Sequence, residues 1–302
     1  MIRTRRVLTP PARLVLFFAL AFGIAWSIWF VMRAAAIQPT LGPNFSTSPG
    51  YLLLLVGVAG PAWAALLVNS LAPGHADRGA LVRRLLRWRV GVGWYLIALG
   101  FPLLLALMTA VCYKLAGGLG FAGLQVGPLV GLAPQLLWTL VLGGPLEDEL
   151  GWRGFAFPLL RVRTNALVSS LIIGVLWGLW HLPLFLLPGT SQYVLVTQHP
   201  PGILWFVGFV VQTMALSVLF GWLVTRTNES VPIAMVFHTG ANMAYSVLAV
   251  LGVFAAWQAL LSYVGLLVLT AVLVIVTHGP HLTDRSSRSS PAELHGAQAS
   301  SQ

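Results

Sequence analysis

Long apolar segments recur along the whole 302-residue chain, and they constrain its fold more than any other feature. A helix needs about 20 mostly apolar residues to cross the hydrocarbon core of a bilayer. Charged residues make up 8% of the chain, whereas a soluble domain normally has about 25%. The sequence therefore predicts an all-α polytopic membrane protein of about eight transmembrane helices. They cover residues 14–32, 52–71, 94–115, 129–160, 166–187, 203–224, 231–251 and 254–276.

The fourth of these segments, residues 129–160, is too long for one simple crossing. It also contains three consecutive acidic residues, Glu147, Asp148 and Glu149. We expect it to tilt, to bend at the Gly-Gly-Pro sequence of residues 143–145, or to extend past the bilayer. A polar break within an apolar segment is typical of a functional region.

Most basic residues lie in every second loop, and this distribution predicts how the chain is oriented across the membrane. The formal net charge of +10 is also typical of nucleic-acid-binding proteins, but most of these residues flank the ends of predicted transmembrane helices. Only Arg33 and Lys114 fall on the opposite side. The positive-inside rule therefore places both termini and the even-numbered loops in the cytoplasm of a cell-membrane protein that does not bind nucleic acid. The arginines on the cytoplasmic side are Arg3, Arg5, Arg6, Arg13, Arg78, Arg83, Arg84, Arg87, Arg89, Arg161, Arg163, Arg226, Arg285 and Arg288.

The segments divide the chain into four parts. Residues 1–125 hold the first three helices, residues 126–253 hold helices 4 to 7, and residues 254–282 hold helix 8. Residues 283–302 are too polar to pack, so we expect a disordered tail. Arginines alternate with apolar residues over residues 77–92, a pattern that predicts an amphipathic helix at the membrane surface.

The acidic cluster is costly at its predicted depth. One charge at the centre of a bilayer costs about 2.5 to 3.5 kcal/mol on insertion scales, and such residues usually line a functional site. Glu149 and Arg153 are spaced i to i+4 and can neutralise each other on one helical face. That pair leaves Asp148 and Glu147 unexplained, so a purely structural interpretation is incomplete.

Two further helices each contribute a histidine. His181 shares a helical face with Trp177, and Pro183 cannot donate a hydrogen bond to the carbonyl four residues earlier, so the backbone there is expected to line a cavity. His238 and Asn242 share a face of the seventh segment. Taken alone, each histidine could equally be a hydrogen-bonded packing residue.

The residues of the acidic cluster and the two histidines are predicted to lie at a similar depth in the membrane. At 1.5 Å per residue from the nearest cytoplasmic arginine, the distances are roughly 20 Å for Asp148, 27 Å for His181 and 18 Å for His238. All three therefore lie near the middle of the membrane. Bundles build sites from facing helices at one level, so the sequence predicts a single polar site.

Such a site can hydrolyse a peptide bond by two routes. His181, His238 and Asp148 could hold one divalent metal ion such as zinc, with a position left open for a water molecule. Without metal, a carboxylate and a neutral histidine could take a proton from water. The second histidine and the Asn242 amide could then donate hydrogen bonds to the oxyanion. The residues alone leave both routes open.

Three motifs resemble those of the CPBP family, which includes CAAX prenyl endopeptidases, bacteriocin-processing enzymes and lysostaphin-resistance-like proteins. The first has two acidic residues followed after three positions by arginine, matched by Asp148, Glu149 and Arg153. The second has an aromatic residue four positions before a histidine, matched by Trp177 and His181. The third is histidine followed four positions later by asparagine, matched by His238 and Asn242. The resemblance covers residues 136–246.

This resemblance implies an eight-helix intramembrane endopeptidase whose site opens toward the cytoplasm. It implies cleavage near the membrane of CAAX-type prenylated or other membrane-associated peptides, by a metal-dependent or a metal-free glutamate-type mechanism. It also assigns roles: Asp148 as general base, Glu149 orienting through Arg153, His181 binding water or metal, and His238 with Asn242 as oxyanion hole.

Two residues depart from the family pattern. Asp148 replaces the usual glutamate, which shortens the reach of the base by about 1.5 Å, and a displacement of that size can cost about a hundredfold in rate. Trp177 replaces the more common phenylalanine. The first departure supports an alternative, a weakly active or inactive member acting as an immunity, binding or scaffold protein. A transporter is less favoured, because the polar residues cluster at one depth and do not trace a path.

Overall fold

The computed structural model describes residues 8–40, 48–71, 75–118, 126–198, 201–254 and 256–283, and this part of the chain is helical without any strand. A π-helical turn, Trp152–Ala156, joins α7 to α8, and a 3₁₀ turn, Leu182–Phe185, follows α9. The helices are α1 (Pro10–Ala34), α2 (Pro49–Val58), α3 (Gly60–Ser70), α4 (His75–Leu85), α5 (Val92–Leu115), α6 (Val126–Leu142), α7 (Pro145–Gly151), α8 (Phe157–Arg161), α9 (Ala166–Trp180), α10 (Ser191–Gln198), α11 (Gly202–Arg226), α12 (Val231–Val250) and α13 (Trp257–His278).

The predicted all-α membrane architecture is confirmed. Among the described residues, six helical segments are long and apolar enough to cross a membrane: α1, α5, α9 with its 3₁₀ turn, α11, α12 and α13. Helices α2 and α3 meet at 42° and together form a seventh candidate. The predicted fourth segment is broken into α6, α7 and α8. The count of eight crossings and the cytoplasmic termini stay predictions.

The break in the fourth segment lies where the Gly-Gly-Pro sequence predicts it. Gly144 has φ of +109°, a conformation that favours glycine, and Pro145 begins α7. A Cβ atom on Gly143 would lie 2.6 Å from the Cα of Thr139. Of the three expectations for this segment, the bend is therefore confirmed.

Helix α7 packs in the interior of the bundle, against α3 and α12. Its approach to α3 is close, because a Cβ atom on Gly151 would lie 2.5 Å from the Cβ of Pro61 and 2.7 Å from its carbonyl. Helix α9 packs equally closely on α11, since a Cβ atom on Gly174 would lie 2.6 Å from the Cα of Met214. Glycines thus let the helices that carry the acidic cluster and His181 approach their neighbours.

One end of the bundle, here named the arginine end, carries α4, the start of α5, the end of α8 and the turn between α11 and α12. Arg84 donates to Glu229 at 2.6 Å and to the carbonyl of Gly154 at 3.2 Å. Helix α4 ends at Leu85, so the amphipathic helix is shorter than the predicted 77–92. The backbone amides of Trp88 and Val90 instead donate hydrogen bonds to the carbonyl oxygens two residues earlier. The predicted tail lies beyond Thr283, outside the described residues.

Candidate active site

Two consecutive carboxylates on α7 reach different neighbours. Asp148 is 3% exposed and Glu149 is fully buried. Successive residues on a helix point about 100° apart. Asp148 therefore faces α9, while Glu149 faces α12 and the π-helical turn.

One carboxylate oxygen of Asp148 is hydrogen-bonded to the protein, and the other is not. Its Oδ2 accepts a hydrogen bond from Nε1 of Trp177 at 3.4 Å. Its Oδ1 is buried and has no hydrogen-bond partner among the protein atoms. An unpartnered buried carboxylate oxygen needs a water molecule or a substrate group. Oδ1 of Asp148 is thus open to a water molecule or another ligand.

Glu149 joins three helices through one oxygen. Its Oε1 accepts from Arg153 at 3.0 Å and lies 2.8 Å from Nδ1 of His238 on α12. Arg153 also donates to Ser217 of α11 at 2.8 Å, and its guanidinium lies 3.8 Å from the ring centroid of Phe220. The predicted i to i+4 pair is therefore present and is extended to both α11 and α12.

His181 is oriented by the end of α9. The helix stops at Trp180, so the backbone amide of His181 donates to Gly178 and leaves the carbonyl of Trp177 to accept from Nδ1 of the His181 ring at 2.7 Å. A carbonyl can only accept, so Nδ1 carries the hydrogen, and Nε2 of the neutral ring is an acceptor. The expectation that the backbone near Pro183 lines a cavity is confirmed by the positions of Trp180 and His181.

Helix α12 carries His238 and Asn242 and packs closely on α5. A Cβ atom on Gly240 would lie 3.0 Å from the carbonyl oxygens of Ala98 and Leu99. The absence of a side chain at Gly240 lets α5 approach α12 this closely. His238 is linked to α7 by its contact with Glu149.

Four of the predicted residues line one cavity of about 320 Å³: Asp148, His181, His238 and Asn242. Gly144 and Trp180 line it beside them. Glu149 and Arg153 do not reach the cavity and are buried behind it. The single layer predicted from helix offsets is thus present, although the role of each residue stays a prediction.

The residues predicted to bind zinc are Asp148, His181 and His238. Among the described residues, no three His, Cys, Asp or Glu side chains lie close enough together to hold one metal ion. His181 and His238 each use Nδ1 in a hydrogen bond, and Asp148 has one oxygen bonded to Trp177. Nε2 of each histidine and Oδ1 of Asp148 stay open to a ligand, so a bound metal ion stays a prediction.

Sequence reasoning missed some of the residues that support the site. Ser217 anchors Arg153, and Trp180 bonds the carbonyl of Ala21 at 3.2 Å, which ties the end of α9 to α1. Thr213 and Ser217 are spaced i to i+4 within the apolar α11, and that polar pair could have indicated a buried face. No sequence pattern indicates the Trp180 contact.

The comparisons with known proteins agree with this geometry. A family model described as Type II CAAX prenyl endopeptidase Rce1-like matches residues 130–244, which contain all six predicted site residues. CAAX prenyl protease 2 of Methanococcus maripaludis is 22% identical over 247 residues, covering 78% of this chain and 84% of the relative.

Residues 130–244 of the chain are thus similar to the Rce1-like CAAX prenyl endopeptidases. The predicted resemblance over residues 136–246 is therefore confirmed. The match to this family model identifies an intramembrane endopeptidase, and the apolar helices independently require a multi-pass integral membrane protein.

Proposed function

We infer that the protein hydrolyses a peptide bond inside the membrane with a water molecule activated by Asp148. The observation that carries this inference is the shared cavity, in which a buried carboxylate oxygen without a protein partner faces two histidines and an amide. Each group has a partner or an orientation that suits one step of amide hydrolysis.

Water activation uses two acceptors. Asp148 Oδ1 accepts one proton of the attacking water, and Nε2 of neutral His181 accepts a hydrogen bond from the other. Because Trp177 binds Oδ2 of Asp148 and its carbonyl binds His181, one residue orients both acceptors. A base positioned in this way typically contributes about 10² to 10⁴ in rate.

Two side chains of α12 stabilise the oxyanion that forms on the attacked carbonyl. The Asn242 amide donates through its nitrogen, and protonated His238 donates through Nε2. Glu149 accepts from Nδ1 of His238, which fixes the ring and stabilises its positive charge. Losing one oxyanion donor typically costs about 10² to 10³ in rate.

Glu149 has two partners in the buried cluster. Arg153 and His238 both contact its Oε1, and pairing of this kind lowers the cost of placing charges at membrane depth. During the reaction, the proton taken by Asp148 passes to the leaving amine, and the carboxylate is regenerated.

The substrate class is a peptide or protein segment at the membrane. The archaeal relative is named for CAAX prenyl processing, so prenylated CAAX peptides are the first substrates to try. Other membrane-associated peptides belong in the same panel, because the described cavity residues include no feature that requires a lipid chain.

The test is cleavage by the purified, reconstituted protein of prenylated and plain peptides from one library. We expect wild type to cleave, and Asp148→Ala, Glu149→Ala and His238→Ala to lose at least 10²-fold in kcat/KM. Glu147→Gln is the matched control, since Glu147 adjoins the pair but does not line the cavity. Wild type that cleaves nothing while Asp148→Glu cleaves would show an inactive member and overturn the proposal.

Metal dependence is measured on the same samples. A stoichiometric metal that is lost in His181→Ala would establish a metalloenzyme and replace the mechanism above. Full activity after chelation, without bound metal, is the expected result.

A further inference from the structure

The carbonyl of Gly154, in the π-helical turn, has lost the donor that an α-helix would provide. In an α-helix this carbonyl accepts from the backbone amide four residues later. Residue 158 is proline, which has no amide hydrogen. Nη1 of Arg84, on α4, donates to the Gly154 carbonyl at 3.2 Å. A side chain from another helix thus supplies a donor that the backbone of the turn lacks.

The same guanidinium stabilises the turn between α11 and α12. Nε of Arg84 lies 2.6 Å from Oε2 of Glu229, and the two side chains are 22% and 28% exposed. Arg161 approaches the other oxygen of Glu229 at 4.0 Å. Asn228 and Glu229 have φ of +52° and +65°, a left-handed conformation that is unfavourable for residues other than glycine. The ion pair therefore stabilises a strained turn that leads directly into α12.

Helix α4 and the start of α12 both pack on Gly154. A Cβ atom on Gly154 would lie 3.1 Å from Cδ1 of Leu81 on α4 and 3.1 Å from Cγ2 of Val231 on α12. Leu81 and Val231 are both buried. Leu81 and Arg84 are three residues apart, so they lie on the same face of α4. That face packs against the π-helical turn and the start of α12 together.

The two elements that α4 joins carry the charged pair behind the cavity. Glu149 lies on α7, just before the π-helical turn, and His238 lies on α12. Oε1 of Glu149 is 2.8 Å from Nδ1 of His238 and accepts from Arg153, the residue before Gly154. Hydrogen bonds between nitrogen and oxygen extend to about 3.2 Å, so moving α7 from α12 by about 0.5 Å would break this contact.

We propose that Arg84 is a positioning residue for peptide hydrolysis. It holds the π-helical turn and the start of α12 at the spacing that the contact between Glu149 and His238 requires. The proposal rests on the proposed function for the reaction itself. Arg84 does not line the cavity, so it acts on the reaction through those two side chains. A guanidinium suits this role because its rigid fork donates in two directions at once.

The activity test combines Arg84→Gln with Pro158→Ala. We expect Arg84→Gln to lower kcat about tenfold, the usual effect of losing one hydrogen bond to a charged group, and to leave KM within about twofold. Pro158→Ala returns a backbone amide to the Gly154 carbonyl, so the double variant should recover most of the lost kcat. Arg89→Gln is the matched control, because it removes the same charge from an exposed side chain that follows α4.

Arg84→Lys is the second variant, for use if Arg84→Gln does not fold. It keeps a positive charge beside Glu229, but its single nitrogen cannot occupy the positions of both Nε and Nη1. We therefore expect kcat to fall here as well, with recovery in the Pro158→Ala background.

Hydrogen exchange in the backbone of residues 152–161 tests the link without requiring cleavage. Mass spectrometry of the purified full-length chain should show faster exchange there in Arg84→Gln, recovery in the double variant and no change in Arg89→Gln. Wild type that cleaves nothing yet shows this exchange pattern would overturn the proposed function, while the link through Arg84 would stand. Unchanged exchange or unchanged kcat in Arg84→Gln would overturn the proposal, and so would a lost kcat that Pro158→Ala does not restore.

Discussion

The two motif residues that depart from the family pattern touch each other. Asp148 is shorter than the usual glutamate, and Trp177 replaces the usual phenylalanine by a ring that can donate. Nε1 of Trp177 lies 3.4 Å from Oδ2 of Asp148. Phenylalanine could not make this bond. The tryptophan therefore restrains the shorter carboxylate at the wall of the cavity.

We predict that Trp177→Phe lowers kcat/KM about tenfold, the effect of losing one hydrogen bond worth about 1.4 kcal/mol. In the Asp148→Glu background the same substitution should have little effect, because the longer side chain reaches the cavity without the restraint. The measurement is a double-mutant cycle on peptide cleavage. Equal effects in both backgrounds would show that the two residues act independently.

At the scale of helices, the site depends on how closely α7 approaches α3. Gly151 lies directly against Pro61, and the π-helical turn Trp152–Ala156 follows at once. A π-helical turn is wider than an α-helical one and often occurs at functional sites. The close contact sets the level of the carboxylates, and the wide turn gives Arg153 room to reach α11.

We predict that Gly151→Ala destabilises the protein by about 1 to 3 kcal/mol, because the added methyl group forces α3 and α7 apart. Cleavage should fall with it, since Asp148 moves with α7. The control is Gly208→Ala in α11, where the added atom meets nothing within 4 Å. Thermal unfolding in detergent measures both, and equal midpoints for the two variants would contradict the prediction.

The helical segments and the level of the site could be predicted from the sequence, whereas the pairing of side chains could not. The Gly-Gly-Pro sequence indicates a break because its residues disfavour a continuous helix. Helix rise gives the depth of Asp148 and His238, but it does not say which way each helix is turned about its axis. The Glu149–His238 bond therefore had no sequence signal. Nor did the π-helical turn, whose residues include no proline.

At the scale of the whole molecule, apolar side chains cover the outside of the bundle. Leu104, near the middle of α5, is 54% exposed, and Val162, at the arginine end, is 67% exposed. These two positions should differ in what surrounds them, lipid for Leu104 and water for Val162. Exposed apolar surface on this scale needs a bilayer to cover it.

We predict that Leu104→Arg lowers the amount of protein recovered in alkali-washed membranes, since arginine at that depth costs about 2.5 to 3.5 kcal/mol on insertion scales. Val162→Arg introduces the same side chain at the arginine end and should be recovered like wild type. Immunoblotting of membrane fractions measures both. Equal recovery of the two variants would mean that α5 does not span the bilayer as described.

The buried rings of Trp152, Phe220 and Phe237 have a consequence for the cell. A hydrated passage that reached both faces would conduct ions and dissipate the gradients that an energised membrane maintains. Trp152, Phe220 and Phe237 are buried and do not line the cavity, and apolar rings exclude the water that ions need to cross. The enzyme can therefore keep water at the centre of the bilayer while the membrane retains its electrical resistance.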